Sequence, residues 1–270
     1  DGDATLTQAK VWLSIYGGSS LVHVQTTLVD TKSRPTETFS DKILKITSIS
    51  LDVPLTLDNA SYAAGGESGA VYQGTVGGGA ELLQDATATF TSQYAYNFAY
   101  SGVGAGAKAP GWMDFSAGGR GLMTGLRHFW QNYPQKLAMD SGNTVHVEFL
   151  PAASPNYFWT VYPGVGKTYE AFLDFHAGTF GTTVRRRAEI MLDYPMLIPT
   201  DNGWYAKTDV FGPISEQSSL SAAWDTRVEN QYNCTVLRQG CTIYPLPYGQ
   251  RNFGDFQQGF GTKSTGGYFP

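Results

Sequence analysis

"AKVWLSIYGGSSLVHVQTTLVD", residues 9–30, decides the fold. Val11, Leu13 and Ile15 occupy every second position, and apolar residues alternate with others again after residue 20. A period of two is the mark of a strand that buries one face. The Gly-Gly-Ser-Ser between the two runs supplies a turn, so the stretch reads as a β-hairpin.

Outward from this hairpin the same pattern recurs. "KILKITSISLDVPLTL" (42–57) reads as one long strand or two, with Pro54 marking an edge or a bend. "ESGAVYQGTVGGG" (67–79), "ATATFTSQYAYNFAYS" (86–101), "WMDFSAGGRGLMTGLRHFW" (112–130), "TVHVEFLP" (144–151), "KTYEAFLDFHAG" (167–178) and "TTVRRRAEIML" (182–192) read as further strands. "GVGAGAKAPG" (102–111) reads as a loop; it lacks the strand before and helix after that a phosphate-binding glycine loop needs. The one helical hint is "FWQNYPQKL" (129–137), which Pro134 limits to a turn or two. After about residue 200 the alternation fades, and "GQRNFGDFQQGFGTKSTGGYFP" (249–270) is expected to be irregular. The fold expected is all-β: a large antiparallel two-sheet sandwich over residues 1–200, then an irregular, disulfide-clipped extension over 201–270 with an extended tail.

Composition narrows the function. Charged residues make up only 15% of the chain while glycine reaches 32 residues, which suits strands joined by turns. The net charge is −5 and the one basic run, Arg185–Arg187, sits in a segment read as a strand; a nucleic-acid partner is not expected. No apolar run approaches the roughly 20 residues that cross a bilayer, so no membrane partner is expected either. Cys234 and Cys241 are the only cysteines and lie close in sequence, which fits a disulfide. Asn59 ("NAS") and Asn233 ("NCT") are N-glycosylation acceptors. Together these point to a secreted, extracellular protein.

Chemistry is sparse. His23, His128, His146 and His176 show neither i, i+4 helical spacing nor clustering with cysteine, so no metal and no cofactor are expected. Two segments stand out. "GLRHFWQNYPQKL" (125–137) gathers Arg127, His128, Trp130 and Tyr133, and reads mainly as a structural corner that edges a sugar site, its guanidinium stacked or paired. "GVGKTYEAFLDFHAG" (164–178) offers Lys167, Tyr169, Glu170 and His176. On a strand, residues 169, 171, 173 and 175 share a core face, while 168, 170, 172, 174 and 176 face water or a groove.

"APGWMDFSAGGRGLMTGLRHFWQNYPQKL" (109–137), followed by a strand and "GVGKTYEAFLDFHAG", resembles the rhamnogalacturonan exolyase family of polysaccharide lyases, of the PcRGLX/YetA-like kind. "LSIYGGSSLVHVQTTLVD" (13–30) and "RNFGD" (251–255) add to the likeness. The resemblance implies a RIFT barrel, a central β-sandwich and a C-terminal α/α toroid. Where the family tends to an acid after the arginine and a histidine after "KT", this chain has His128 and Tyr169. A uronate lyase needs a cation to offset the carboxylate and a base to remove the adjacent proton. Arg127 or Lys167 fits the first role, and His128, Tyr133 or Tyr169 the second. Trp112, Trp130 and His176 are the candidate carbohydrate contacts. Residues 1–270 are expected to hold only the β-domains of that plan and not the α/α toroid, and so to bind acidic, rhamnogalacturonan- or pectin-type polysaccharide or another glycan without cleaving it. The alternative is a structural extracellular protein that self-assembles into an oligomer or filament through the C-terminal tail, whose aromatics cannot build a core of their own.

Overall fold

The opening hairpin forms as the alternation requires: β1 (Thr7–Ile15) and β2 (Leu21–Asp30) pair antiparallel from Thr7↔Asp30 to Ile15↔Val22 without a register shift. The computed structural model describes residues 7–31, 44–86, 94–98, 105–152, 159–161, 166–193, 202–209, 212, 221–235, 256–258 and 267–269. Chain order continues with β3 (Leu44–Ile46), β4 (Ile49–Pro54), β5 (Ser61–Gly65), β6 (Val71–Thr75), β7 (Gly79–Ala86), β8 (Tyr94–Phe98) and β9 (Ala105–Gly106). Next come β10 (Trp112–Ala117), β11 (Arg120–Leu126), β12 (Gln135–Asp140), β13 (Thr144–Leu150), β14 (Trp159–Val161) and β15 (Gly166–Ala177). Three helices follow, α1 (Thr182–Asp193), α2 (Asn202–Thr208) and α3 (Ala222–Thr235), then the short pair β16 (Phe256–Gln258) and β17 (Gly267–Phe269).

Two antiparallel sheets make the sandwich. The first has the order β1-β2-β15-β11-β10-β5-β6, the second β4-β13-β12-β7-β8-β9. Alternate residues of their central strands point into one shared core: Val24, Met113, Phe115, Leu122, Tyr169 and Ala171 from the first sheet meet Leu82, Leu137, Met139, Val145 and Val147 from the second. Each large side chain removed from water here contributes about 1.5–3 kcal/mol. Chain contacts divide the protein into two compact units, Asp1–Pro195 with Tyr248–Phe253 and Met196–Pro247 with Gly254–Pro270. Both large sheets lie in the first.

Several expectations need correction. "TTVRRRAEIML" is a helix, not a strand. Val184, Ala188 and Leu192, spaced i, i+4, i+8, form one buried stripe that packs on Ala63, Trp112, Met123 and Phe172 on the outer face of the first sheet. That helix also alters the prediction for β15. Tyr169, Ala171 and Leu173 are buried in the sandwich as expected, but Phe172 and Asp174 on the opposite face are buried too, while Phe175 is 41% exposed. Finally, "FWQNYPQKL" holds no helix: residues 127–132 are turns, and β12 starts at Gln135. Within 201–270, where irregular chain was expected, the described residues include α2 and α3.

Candidate functional site

The 125–137 stretch is the corner where the chain leaves the first sheet at the end of β11 and enters the second at β12. Its side chains go to different places. Phe129 is 1% exposed and belongs to the core. Arg127 turns the other way: one guanidinium nitrogen donates to Glu170 Oε2 at 2.9 Å, the other to the Met191 carbonyl in α1 at 3.0 Å, and its Cζ lies 5.3 Å from the Phe172 ring centroid. His23 completes this cluster, 3.2 Å from the same Glu170 oxygen and stacked on Phe172 at 4.7 Å. His128 takes the left-handed backbone (φ 57°), and desolvation and the Arg127 cation hold its pKa below the ordinary value. Tyr133 precedes a cis proline, and burial and the Asp85 charge push its pKa up.

Lys167 and Tyr169 lie on the other side of the first sheet. Lys167 Nζ donates to Asn132 Oδ1 at 3.2 Å and sits 5.2 Å from the Tyr169 ring centroid. Tyr169 is 3% exposed, packs on Phe149 at 5.1 Å, and burial drives its hydroxyl pKa far upward. A phenol so placed reaches no solvent-borne substrate and resists ionisation. Arg127 and Tyr169 are therefore separated by the sheet itself, and no cation–base pair from the sequence candidates that includes Tyr169 faces a shared cleft.

Trp112 and Trp130 do come together. They line one cleft of about 520 Å³, with Gly65–Ala70, Lys108, Pro110 and Glu189. The buried side chain of Gln84 positions one wall, donating to the Ala107 carbonyl at 3.1 Å and accepting from the Ala109 N–H at 2.9 Å. Between those anchors Lys108 projects its ammonium to 4.5 Å from the Trp130 ring centroid, while its backbone N–H donates to Glu67 Oε1 at 2.9 Å. The opposite wall is the glycine-rich turn after β5. Gly65 is required there, since a Cβ would lie 2.5 Å from Trp112 Nε1 and 2.6 Å from Pro110 Cγ. Trp112 itself is 1% exposed and stacks on Phe180 at 5.5 Å, so its ring is a floor rather than a free platform. Glu189 is held by Arg185 at 2.7 Å. The cleft thus offers a partly exposed indole, one cation and two carboxylates, which suits a polyhydroxylated ligand.

His176 is elsewhere. It lines a second cleft of about 530 Å³ with Arg120 and Phe175, and its Nε2 is 2.5 Å from Asp114 Oδ2. Gly121 leaves the room its imidazole fills, since a Cβ there would stand 2.5 Å from the ring. Burial pushes the Asp114 carboxyl above its ordinary range, against the hydrogen bonds of His176 and Ser116. Two residues along β15 from His176, and across Met123 of β11 from Asp114, Asp174, fully buried, pairs with Arg187 of α1 and accepts from Ser20 Oγ at 2.7 Å. These buried acids escaped the sequence reading because their cover, α1, was read as a strand.

Asn59 is exposed in a turn with φ 54°, a geometry open to a glycan. Asn233 and Cys234 fall in α3, but their side chains and Cys241 lie outside the described residues, so the expected disulfide does too. The aromatic side chains of the 249–270 tail are likewise outside them. Among the described residues no group of three His, Cys, Asp or Glu side chains is placed to hold a metal ion, and no helix is long and apolar enough to cross a membrane.

No family model matches the chain, and no curated protein matches it. Among solved structures it is similar to the Slr1438 protein from Synechocystis sp. PCC 6803, at 10% identity over 64% of this chain and 55% of that one, with a TM-score of 0.33. It is also similar to a putative aldose 1-epimerase from Escherichia coli K12, at 7% identity over 63% of this chain and 65% of that one, with a TM-score of 0.27. The chain thus spans 55% and 65% of the lengths of those two proteins. At these scores the functional reading rests on the site itself.

Proposed function

We propose that this chain is a secreted, glycan-binding β-sandwich that holds acidic, pectin-type saccharide in the Trp112–Trp130 cleft and does not cleave it. The observation that carries the reading is the placement of Lys108 over Trp130 inside a cleft walled by Glu67 and Glu189. An indole gives a sugar ring an apolar face to lie on, carboxylates accept from hydroxyls, and an ammonium matches a uronate carboxylate. Two of the acid–base candidates support the non-catalytic part: Arg127 is engaged by Glu170 and the Met191 carbonyl, and Tyr169 is in the core. The resemblance of residues 109–137 and 164–178 to the exolyase family supports the choice of ligand class.

Calorimetric titration with galacturonate- and rhamnose-containing oligosaccharides tests it. Trp130→Ala should weaken binding at least about tenfold, which is about 1.4 kcal/mol, and Lys108→Ala should erase the preference for uronate over neutral oligomers. Equal affinity in wild type and Trp130→Ala would remove the cleft from the argument. Steady appearance of unsaturated product in the ultraviolet would overturn the non-catalytic reading. The secreted reading goes with a disulfide between Cys234 and Cys241; two labelled thiols in the unreduced, denatured protein would refute that disulfide.

A further inference from the structure

We infer that β1 pairs with β1 of a second copy of this chain, antiparallel and centred on Val11. The strand ends the order of the first sheet and, among the described residues, is hydrogen-bonded on one side only, to β2. Such an edge presents a row of unpaired N–H and C=O groups, which natural proteins blunt with charges, proline, bulges or short strands. β1 is nine residues long and runs against β2 without a bulge, and Lys10 is its one charge. It is also apolar where it meets water: Val11, Trp12, Leu13 and Ile15 are 56%, 66%, 60% and 69% exposed.

The occupant follows from where those side chains point. Val11, Leu13 and Ile15 stand on one face of the sheet and Lys10 and Trp12 on the other. A partner laid on either face would leave the opposite one in water. A strand added to the edge gives each residue a cross-strand neighbour on its own face. A second β1 does this with a defined register. With the two-fold at Val11, the midpoint of Thr7–Ile15, all nine residues are paired. Val11 meets its own copy, Ala9 meets the partner's Leu13, and Lys10 meets the partner's Trp12. The last pair sets a cation against an indole, a favourable contact. Moving the two-fold by one residue to Lys10 would set two like charges opposite each other, which is disfavoured. The sheet then continues across the two-fold from one copy to the next.

Sedimentation velocity on the full chain tests the pairing. Wild type should run at twice the monomer mass, and Val11→Lys, which opposes two cations at the two-fold, should run as a monomer that keeps the wild-type circular dichroism because the position is exposed, with a thermal melt that no longer rises with protein concentration. Val11→Cys should form a covalent dimer on mild oxidation, seen on a non-reducing gel, whereas Leu13→Cys, opposite Ala9, should not. Wild type at monomer mass at its highest soluble concentration overturns the inference. So does a Val11→Lys protein that remains dimeric, or cross-linking through Leu13→Cys in preference to Val11→Cys.

Discussion

The guanidinium of Arg127 joins three pieces of the first unit: its own corner, Glu170 on β15 and the last turn of α1. Helix ends leave carbonyls without partners, and a cation there satisfies one while matching the negative end of the helix. Arg127→Ala should therefore destabilise the fold by about 2 kcal/mol while leaving glycan affinity unchanged. Arg127→Lys, able to reach one acceptor at a time, should recover part of the loss. Urea unfolding and the saccharide titration together read both quantities. A loss of affinity with no loss of stability would give Arg127 a ligand-binding role instead.

Strand pairs carry a second device on the outer face of the other sheet. His146 on β13 lies 2.9 Å from Asp52 on β4 and 3.2 Å from Asp140 on β12, so one imidazole spans three neighbouring strands. Burial pulls its pKa down, but the hydrogen bonds to Asp52 and Asp140 outweigh it, and the folded value stands above the ordinary 6.5. A raised histidine adds stability that is complete below the unfolded value and is lost as pH rises through the folded one. The Asp140 carboxyl moves the other way: the Thr144 N–H first, then His146, hold it below 3.8, so its contribution is lost as pH falls through that lowered value. The three strands should thus support one another most between about pH 4 and 6.5. His146→Gln should remove the decline on the alkaline side, measured as the difference in urea midpoint from wild type across pH; an unchanged pH profile would contradict it. At this scale the sequence was legible where alternation states which residues share a face, as with Tyr169, Ala171 and Leu173 on β15. Alternation does not say what covers a face. Phe172 and Asp174 are hidden by α1, whose Arg185, Arg186 and Arg187 resemble a solvated strand although Val184, Ala188 and Leu192 keep a helical spacing. The cleft was half legible for a similar reason. Trp112 and Trp130 stand out as aromatics, but Lys108 and Glu67 reach them from loops that only the folded chain brings close.

Across the whole first sheet, cover is uneven. β10, β11 and β15 lie between the sandwich core and α1, whereas β1 has solvent on both faces. An amide can exchange its hydrogen only when its bond opens, and the free energy of that opening follows how much apolar packing opens with it. Deuterium uptake should therefore run as a gradient across one continuous hydrogen-bonded surface. Amides of Leu122, Met123 and Thr124, beneath the helix, should open only with global unfolding, while those of β1 that do not bond to β2 should label orders of magnitude sooner. Protection in β1 should also rise with protein concentration while that of β11 does not, because a neighbour arriving at the edge closes only the amides at the edge. Uniform labelling across β1 and β11 would show that the sheet opens as one piece, and that the helix on its back adds nothing to local protection.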